Sequence, residues 1–389
     1  MEAGSLSLGV HACILLLFGL LALLRMCSPA ALLTPARLLY LVLLVLLQWL
    51  CHTYLPPALS IALLSVACCG VIGMSAPGKA LPVAGKTVFV TGCDTGFGNA
   101  VAHKFDSLGF QVIASVLDMS SPGAKELRQR CSARLTLVQV DLTKAEDIQK
   151  ALQLTRTLTL ETGLWALVNN AGICVHFGDA ELSLMSTYRG CMEVNFFGTL
   201  EITKALLPLL RCSKGRIVTV SSPAGDHSFP FLAAYGSSKA ALNRVMDTLR
   251  HELKPWGIKV CLIQPGCFKT GRSYDYTSWE YQHKYQLANL TEELLQDYGE
   301  EYLSETMRLF LDYGRTACED LSPVVDSITD AVIAEHPKTK YLSGRGLGLM
   351  YFIGGYMPFS VSDSFFRAVF LNNRVLPRAL QKQHCSTDE

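Results

Sequence analysis

The chain has 389 residues and a formal net charge of +1, with 34 Lys and Arg against 33 Asp and Glu. No basic block is present, so nothing electrostatic favours nucleic-acid binding. Half the residues are hydrophobic and mean hydropathy is +0.28, high for a wholly soluble protein.

The apolar excess lies at the N-terminus. Three runs, Leu8–Leu24, Leu38–Tyr54 and Ala58–Met74, contain no Asp, Glu, Lys or Arg. Each would be about 26 Å long as a helix, close to the ~27 Å hydrocarbon layer of the endoplasmic reticulum. Residues 1–80 are therefore expected to form a membrane-anchoring helical segment. A cleaved signal peptide fits poorly: Glu2 precedes the first run and Arg25 follows it. Arg25 and Arg37 in the first connection, with Lys79 and Lys86 after the third run, place both regions on the cytosolic side. The second and third runs, joined by Leu55-Pro56-Pro57, either span as a pair or re-enter, and both options return the chain to the same face. The rest of the chain is thus expected at the endoplasmic reticulum membrane, facing the cytosol. A sequon at Asn289-Leu290-Thr291 tests this topology. The 14 cysteines show neither a paired framework nor C-x-x-C spacing. They read as reduced thiols, and no metal site is expected.

From Lys86 onward, short β-rich runs alternate with helix-length stretches, the pattern of βαβ units. Candidate strands are Thr87–Thr91, Gln111–Leu117, Leu135–Val140, Trp165–Asn169, Arg216–Ser221 and Ile258–Gln264. Their near-continuous apolar character suits a parallel sheet covered on both faces. Right-handed crossovers then give an α/β, doubly wound sheet over residues 81–343, with ligands at the carboxyl ends of the strands.

Directly after the first strand comes Thr91-Gly92-Cys93-Asp94-Thr95-Gly96-Phe97-Gly98, followed by a helix-like segment from Phe97 to Leu108. Gly92, Gly96 and Gly98 permit a tight turn and close backbone approach, leaving helix N-terminal N–H groups for a pyrophosphate. Asp118, ending the second strand, can accept hydrogen bonds from both adenosine ribose hydroxyls and would repel a 2′-phosphate. Asp94, Thr95 and Met119 offer that phosphate no basic partner, so NAD is expected over NADP. The blander alternative is that Asp118 caps the turn before Ser120. Asp141, after the third strand, is placed to meet the adenine.

Ser222 ends a further strand, and Tyr235 and Lys239 follow one helical turn apart. Oxidising a secondary alcohol requires hydride loss and removal of the hydroxyl proton. A phenol with a pKa of about 10 needs roughly 4 kcal/mol of preference for its anion to act near neutrality. An ammonium ~4 Å away supplies about that much at an effective dielectric near 20. Tyr235 is therefore the candidate base, Lys239 its expected tuner, and Ser222 the holder of the substrate oxygen. His176 and His227 lack a partner pattern, and a non-catalytic role is expected for both.

This ordered set resembles the short-chain dehydrogenase/reductase superfamily, whose sheet is of the Rossmann type and whose glycine spacing is T-G-x-x-x-G-x-G. The resemblance implies that Asn195 holds a water linking Lys239 to solvent, and that Lys239 also binds the nicotinamide ribose. It further implies that Asn169-Asn170-Ala171-Gly172 supports the sheet and borders the cofactor, and that Pro265-Gly266 with Thr270 contacts the nicotinamide amide. Gly163-Leu164-Trp165, Cys191–Gly198, Ser222–Asp226, Gln264–Thr270, Gly346–Ile353 and Leu376–Gln381 look like the 11β-hydroxysteroid dehydrogenase branch. That branch implies oxidation of cortisol or corticosterone to the 11-keto form with NAD. Alternatives are a 17β-hydroxysteroid or retinol dehydrogenase and, in another class, a membrane scaffold that binds NAD without catalysis.

An aromatic-rich insertion, about 268–322, carries Tyr274, Tyr276, Trp279, Tyr281 and Tyr285, then a helix-like stretch from Glu292 to Leu311. It reads as a lid over a large apolar substrate or as a surface helix pair. Residues 344–389 form an apolar segment and polar tail. Its Leu347–Leu371 stretch is open to three uses: covering the cleft, lying on the membrane, or pairing two copies in a homodimer.

Overall fold

A computed structural model describes residues 79–381 apart from 175–176, 272–275 and 371–375, with scattered positions between 46 and 66. The three N-terminal runs lie largely outside the described residues, among which no helix is long and apolar enough to cross a membrane. The chain divides into two compact units, Ala80–Ser343 with Asp363–Glu389, and Met1–Lys79 with Gly344–Ser362.

The larger unit is built on a seven-stranded parallel sheet. Its strands are β1 (Thr87–Val90), β2 (Gln111–Val116), β3 (Leu135–Gln139), β4 (Ala166–Asn169), β5 (Arg216–Val220), β6 (Lys259–Pro265) and β7 (Lys340–Ser343), in spatial order 3-2-1-4-5-6-7. All six strands expected from the apolar runs are present. The seventh was not foreseen. Lys340–Ser343 is too short and too polar to stand out, and it becomes a strand by pairing with Leu262–Pro265 at the sheet edge.

Alternating side chains feed a core on each face. Val88, Val90, Val112 and Ala114 pack with Phe105 and Leu127 from the crossovers α1 (Gly96–Leu108) and α2 (Pro122–Arg130). Phe89, Ile113, Leu167 and Ile217 pack on the other face. There they meet Ile148, Leu206 and Met246 from α3 (Ala145–Leu158), α5 (Thr199–Ser213) and α6 (Ala233–Glu252). Burial on both faces explains why these strands read as apolar runs rather than alternating ones. The strand order reverses between β1 and β4, which opens a crevice at their carboxyl ends.

Before α5, α4 (Met185–Met192) runs into a π-helical turn, Glu193–Gly198. The insertion after β6 forms α7 (Tyr276–Asn289), α8 (Glu292–Tyr298) and α9 (Glu300–Arg315). The stretch expected as one helix from Glu292 to Leu311 is two, because Gly299 at φ 81° interrupts it. α10 (Ser322–Ile333) returns the chain to β7, after which come α11 (Leu347–Tyr356) and α12 (Phe359–Phe370).

Candidate active site

The glycine loop closes onto itself through residues that forbid any side chain. Gly92 and Gly96 hold φ of 68° and 60°, a region costly for other residues. At Gly98, a Cβ would meet the Gly92 carbonyl oxygen at 2.3 Å and Asn170 Nδ2 at 2.4 Å. Thr91 Oγ1 accepts from the backbone N–H groups of Asn170 and Ala171, both at 2.9 Å. Asn170 Nδ2 donates to the carbonyls of Thr91 (2.8 Å) and Gly92 (3.1 Å). The ends of β1 and β4 are thereby tied together. α1 starts here with no side-chain cap and no acid in its first turn, so its N–H groups and positive dipole end suit an anionic pyrophosphate.

The Asn pair divides its labour by strand alternation. Asn169, 3% exposed, points into the helix layer, donating to Thr203 Oγ1 (2.9 Å) and Thr219 Oγ1 (3.3 Å). Asn170 holds the loop. The sequence singled out Asn170 only within the Asn169–Gly172 segment and gave Asp94 and Asn99 no structural role. Asp94 accepts from the N–H groups of Leu117 (2.8 Å) and Asp118 (3.1 Å), fixing the end of β2. Asn99 donates to the Cys93 carbonyl at 3.2 Å. An Asp and an Asn within a glycine turn were the available signal.

Asp118 is exposed at the rim, and its carboxylate accepts from Ser120 N–H (2.8 Å) and Oγ (2.7 Å). Asp141 accepts from Thr143 N–H (3.0 Å) and Oγ1 (2.7 Å), with Lys144 Nζ at 3.4 Å. Its carboxyl lies below the usual range, chiefly through the Thr143 hydroxyl. The opposite wall follows β6. Thr270 packs on Gly96, where a Cβ would lie 3.0 Å from Thr270 Cβ. The rings of Phe97 and Phe268 meet edge to face at 5.6 Å. Gly266 N–H donates to the Ser343 carbonyl at 2.8 Å, so the unforeseen β7 anchors the Pro265-Gly266 turn.

Ser222 opens a short 3-10 turn, Pro223–Gly225, and its Oγ accepts from Ala224 N–H at 3.2 Å. Tyr235 and Lys239 lie on α6. Lys239, 3% exposed, donates from Nζ to the Val220 carbonyl at 3.1 Å and lies 5.8 Å from the Tyr235 ring centre. A Cβ at Gly172 would stand 3.1 Å from Asn195 Oδ1 and 3.3 Å from Lys239 Nζ. Asn195, buried in the π turn, clamps the backbone of Ile173. Its Oδ1 accepts from Ile173 N–H (2.7 Å), and its Nδ2 donates to the Ile173 carbonyl and to Ser238 Oγ, both at 2.9 Å.

The electrostatics differ from the simple tuning pair. Burial raises the Tyr235 phenol well above its ordinary value; the neighbouring Cys174 and Cys191 add to this, and hydrogen bonding with Ser222 opposes it. Burial also pulls Lys239 down to about 8. In the protein alone, burial is the largest influence on the Tyr235 phenol. The Lys239 ammonium is directed at a carbonyl, and desolvation dominates.

The insertion contributes to an aromatic wall that includes Phe231, four residues before Tyr235. Trp279, Phe310, Phe177 and Phe231 form a chain of ring contacts at 4.3, 4.7 and 5.1 Å. Trp279 is buried, while Tyr276, Tyr281 and Tyr285 are exposed; Tyr274 and His176 lie outside the described residues. His227 is partly desolvated and packs its ring 5.4 Å from Phe366.

Comparison with known proteins agrees with this geometry. A family model described as short chain dehydrogenase matches residues 86–281. The chain is 52% identical to the 11-beta-hydroxysteroid dehydrogenase type 2 of Homo sapiens, covering 88% of this chain and 84% of that one. It is 42% identical to the 17-beta-hydroxysteroid dehydrogenase type 2 of Homo sapiens, covering 85% and 86%. Its fold matches a short chain dehydrogenase/reductase from Burkholderia phymatum crystallised with NAD. There the TM-score is 0.59 and the identity 20%, over 76% of this chain and 99% of that one. The chain belongs to the short-chain dehydrogenase family of oxidoreductases.

Proposed function

We propose that the protein oxidises the 11β-hydroxyl of a glucocorticoid-type steroid, cortisol or corticosterone, to the ketone with NAD. The carrying observation is the meeting of Ser222, Tyr235, Lys239, Asn195 and Gly172 beside a glycine loop whose uncapped helix fits a dinucleotide. Bound NAD would supply the hydride acceptor and a positive ring. Thr91, Gly92, Gly96, Phe97 and Gly98 would hold its pyrophosphate end, and Asp118 and Asp141 its adenosine end. Ala171, Gly172, Pro265, Gly266 and Thr270 would flank the nicotinamide, while Asn169 sets the sheet beneath. The acidic rim residue Asp118, with no basic neighbour at positions 94, 95 or 119, supports NAD over NADP.

Ser222 holds the substrate oxygen, and Tyr235 receives its proton. Burial alone keeps Tyr235 protonated, so its anionic form depends on positive charge gathered in the closed site. Lys239 contributes, its Nζ 5.8 Å from the centre of the Tyr235 ring. Asn195 Oδ1 and Lys239 Nζ face one space at Gly172, a geometry suited to a bridging water that passes the proton outward. The aromatic wall of Phe177, Phe231, Trp279 and Phe310 suits a flat apolar substrate.

Membranes carrying the full chain, incubated with cortisol or estradiol and with NAD or NADP, test this reading by product analysis. Cortisol loss with NAD is expected. The 42% identity to a 17-beta-hydroxysteroid dehydrogenase supports one rival, and estradiol turnover with no cortisol loss would select it. Tyr235→Phe should lower turnover by at least about a thousandfold while NAD affinity stays within threefold, since removing the proton acceptor spares the binding surface.

A further inference from the structure

We infer that Asp226 is a positioning residue whose carboxylate braces the Ser222 turn against the Tyr235 helix and the end of β6. Asp226 closes the turn that Ser222 opens, and its side chain is 19% exposed. Three elements donate to it. Oδ1 accepts from Asn243 Nδ2 at 2.8 Å, on α6 one turn beyond Lys239. Oδ2 accepts from Gln264 Nε2 at 2.6 Å, one residue before Pro265, and from Lys340 Nζ on β7 at 3.2 Å. Asn243 Oδ1 in turn accepts the hydroxyl of Ser221 at 2.5 Å.

The surrounding backbone has no slack. A Cβ at Gly225 would lie 2.7 Å from both Asn243 Nδ2 and the Lys239 carbonyl oxygen, and one at Gly236 would lie 3.0 Å from the Ala224 carbonyl oxygen. The turn bearing Ser222 can therefore shift only if the brace lets go. Gln264 and Asn243 are buried, so their donors depend on Asp226 rather than on water. A neutral amide at 226 offers one oxygen where the carboxylate offers two, and its N–H₂ would oppose a donor. The consequence falls on the distance between Ser222 Oγ and the Tyr235 hydroxyl. Turnover is sensitive to such spacing: misplacement by about 1 Å costs on the order of a hundredfold.

The inference rests on the proposed dehydrogenase reading, and the wild-type arm of the test separates the two. With full-length protein in membranes, Asp226→Asn should lower kcat by about tenfold to a hundredfold. The steroid KM and NAD affinity should stay within threefold, because neither binding wall loses a contact. The double variant D226N/Q264E restores an acceptor opposite the new amide and keeps a carboxylate near Lys340, so it should recover at least fivefold of the lost kcat. Should Asp226→Asn fail to fold, Asn243→Ala removes one arm of the brace and should lower kcat at least threefold. Wild-type kcat in Asp226→Asn or Asn243→Ala would overturn the brace, as would a loss the double variant does not relieve. Absence of steroid turnover in the wild type, with NAD still bound, would instead overturn the proposed reaction.

Discussion

In the proposed reaction Lys239 would serve chemistry at the expense of stability. Its nitrogen is buried against the Val220 carbonyl, and desolvation lowers its pKa from 10.5 to about 8. The sign follows from linkage. Below pH 8 the ammonium is charged in both folded and unfolded chains, and burying it costs about 3 kcal/mol at most. Between pH 8 and 10.5 the unfolded chain binds more protons, so stability rises with pH across that window. Lys239→Met removes the buried charge. The variant should melt at or above the wild-type temperature at pH 7, and the difference should shrink by pH 10. Its turnover should fall at least about a hundredfold, as expected for a lost electrostatic group. Thermal melts at both pH values check the sign; a variant melting well below wild type at pH 7 would mean that the Val220 contact outweighs the desolvation.

Among the elements, the insertion after β6 carries the most testable geometry. Its root is stitched where Lys269 N–H donates to the Cys318 carbonyl (2.9 Å) and Cys318 N–H to the Cys267 carbonyl (3.1 Å). Three latches hold its helices to the segment after β4: Tyr298 hydroxyl to Glu181 (2.7 Å), Tyr302 hydroxyl to Asp179 (2.7 Å) and Gln286 Nε2 to the Leu182 carbonyl (3.0 Å). Both phenols are raised by burial and by these carboxylates, Tyr298 to about 12, so they remain donors at neutral pH. A hydrogen bond to a charged partner contributes about 1.5–3 kcal/mol. Tyr302→Phe should therefore speed proteolysis within 272–311 by roughly tenfold and raise the steroid KM, leaving NAD affinity unchanged. Unaltered cleavage and KM would show that the aromatic contacts alone hold the insertion.

The latches were not legible in the sequence, because donors and acceptors more than a hundred residues apart carry no local pattern. Trp279 was foreseen as part of an aromatic insertion, but periodicity did not single it out from Tyr276 or Tyr281. The strands and the glycine turn were legible, since burial on both faces imposes apolar runs and a left-handed turn imposes glycine. The loop-tying roles of Asn170 and Asp94 were not legible, because they lie in hydrogen bonds to the backbone of other loops. β7 escaped because it owes its strand to pairing rather than to propensity.

At the scale of the whole molecule, the charges flanking the apolar runs bear on membrane placement. We propose that the three uncharged N-terminal runs anchor the chain with the dehydrogenase domain in the cytosol, because the flanking Arg25, Arg37, Lys79 and Lys86 favour that side. The sequon reports on the same question. Asn289 is exposed at the end of α7, and Thr291 caps α8. Burial would therefore not shield the acceptor from glycosylation if this domain were lumenal. Full-length protein expressed in mammalian cells should migrate identically with and without endoglycosidase, and protease added to intact microsomes should degrade the domain. A glycosidase-sensitive shift abolished by Asn289→Gln would reverse the topology.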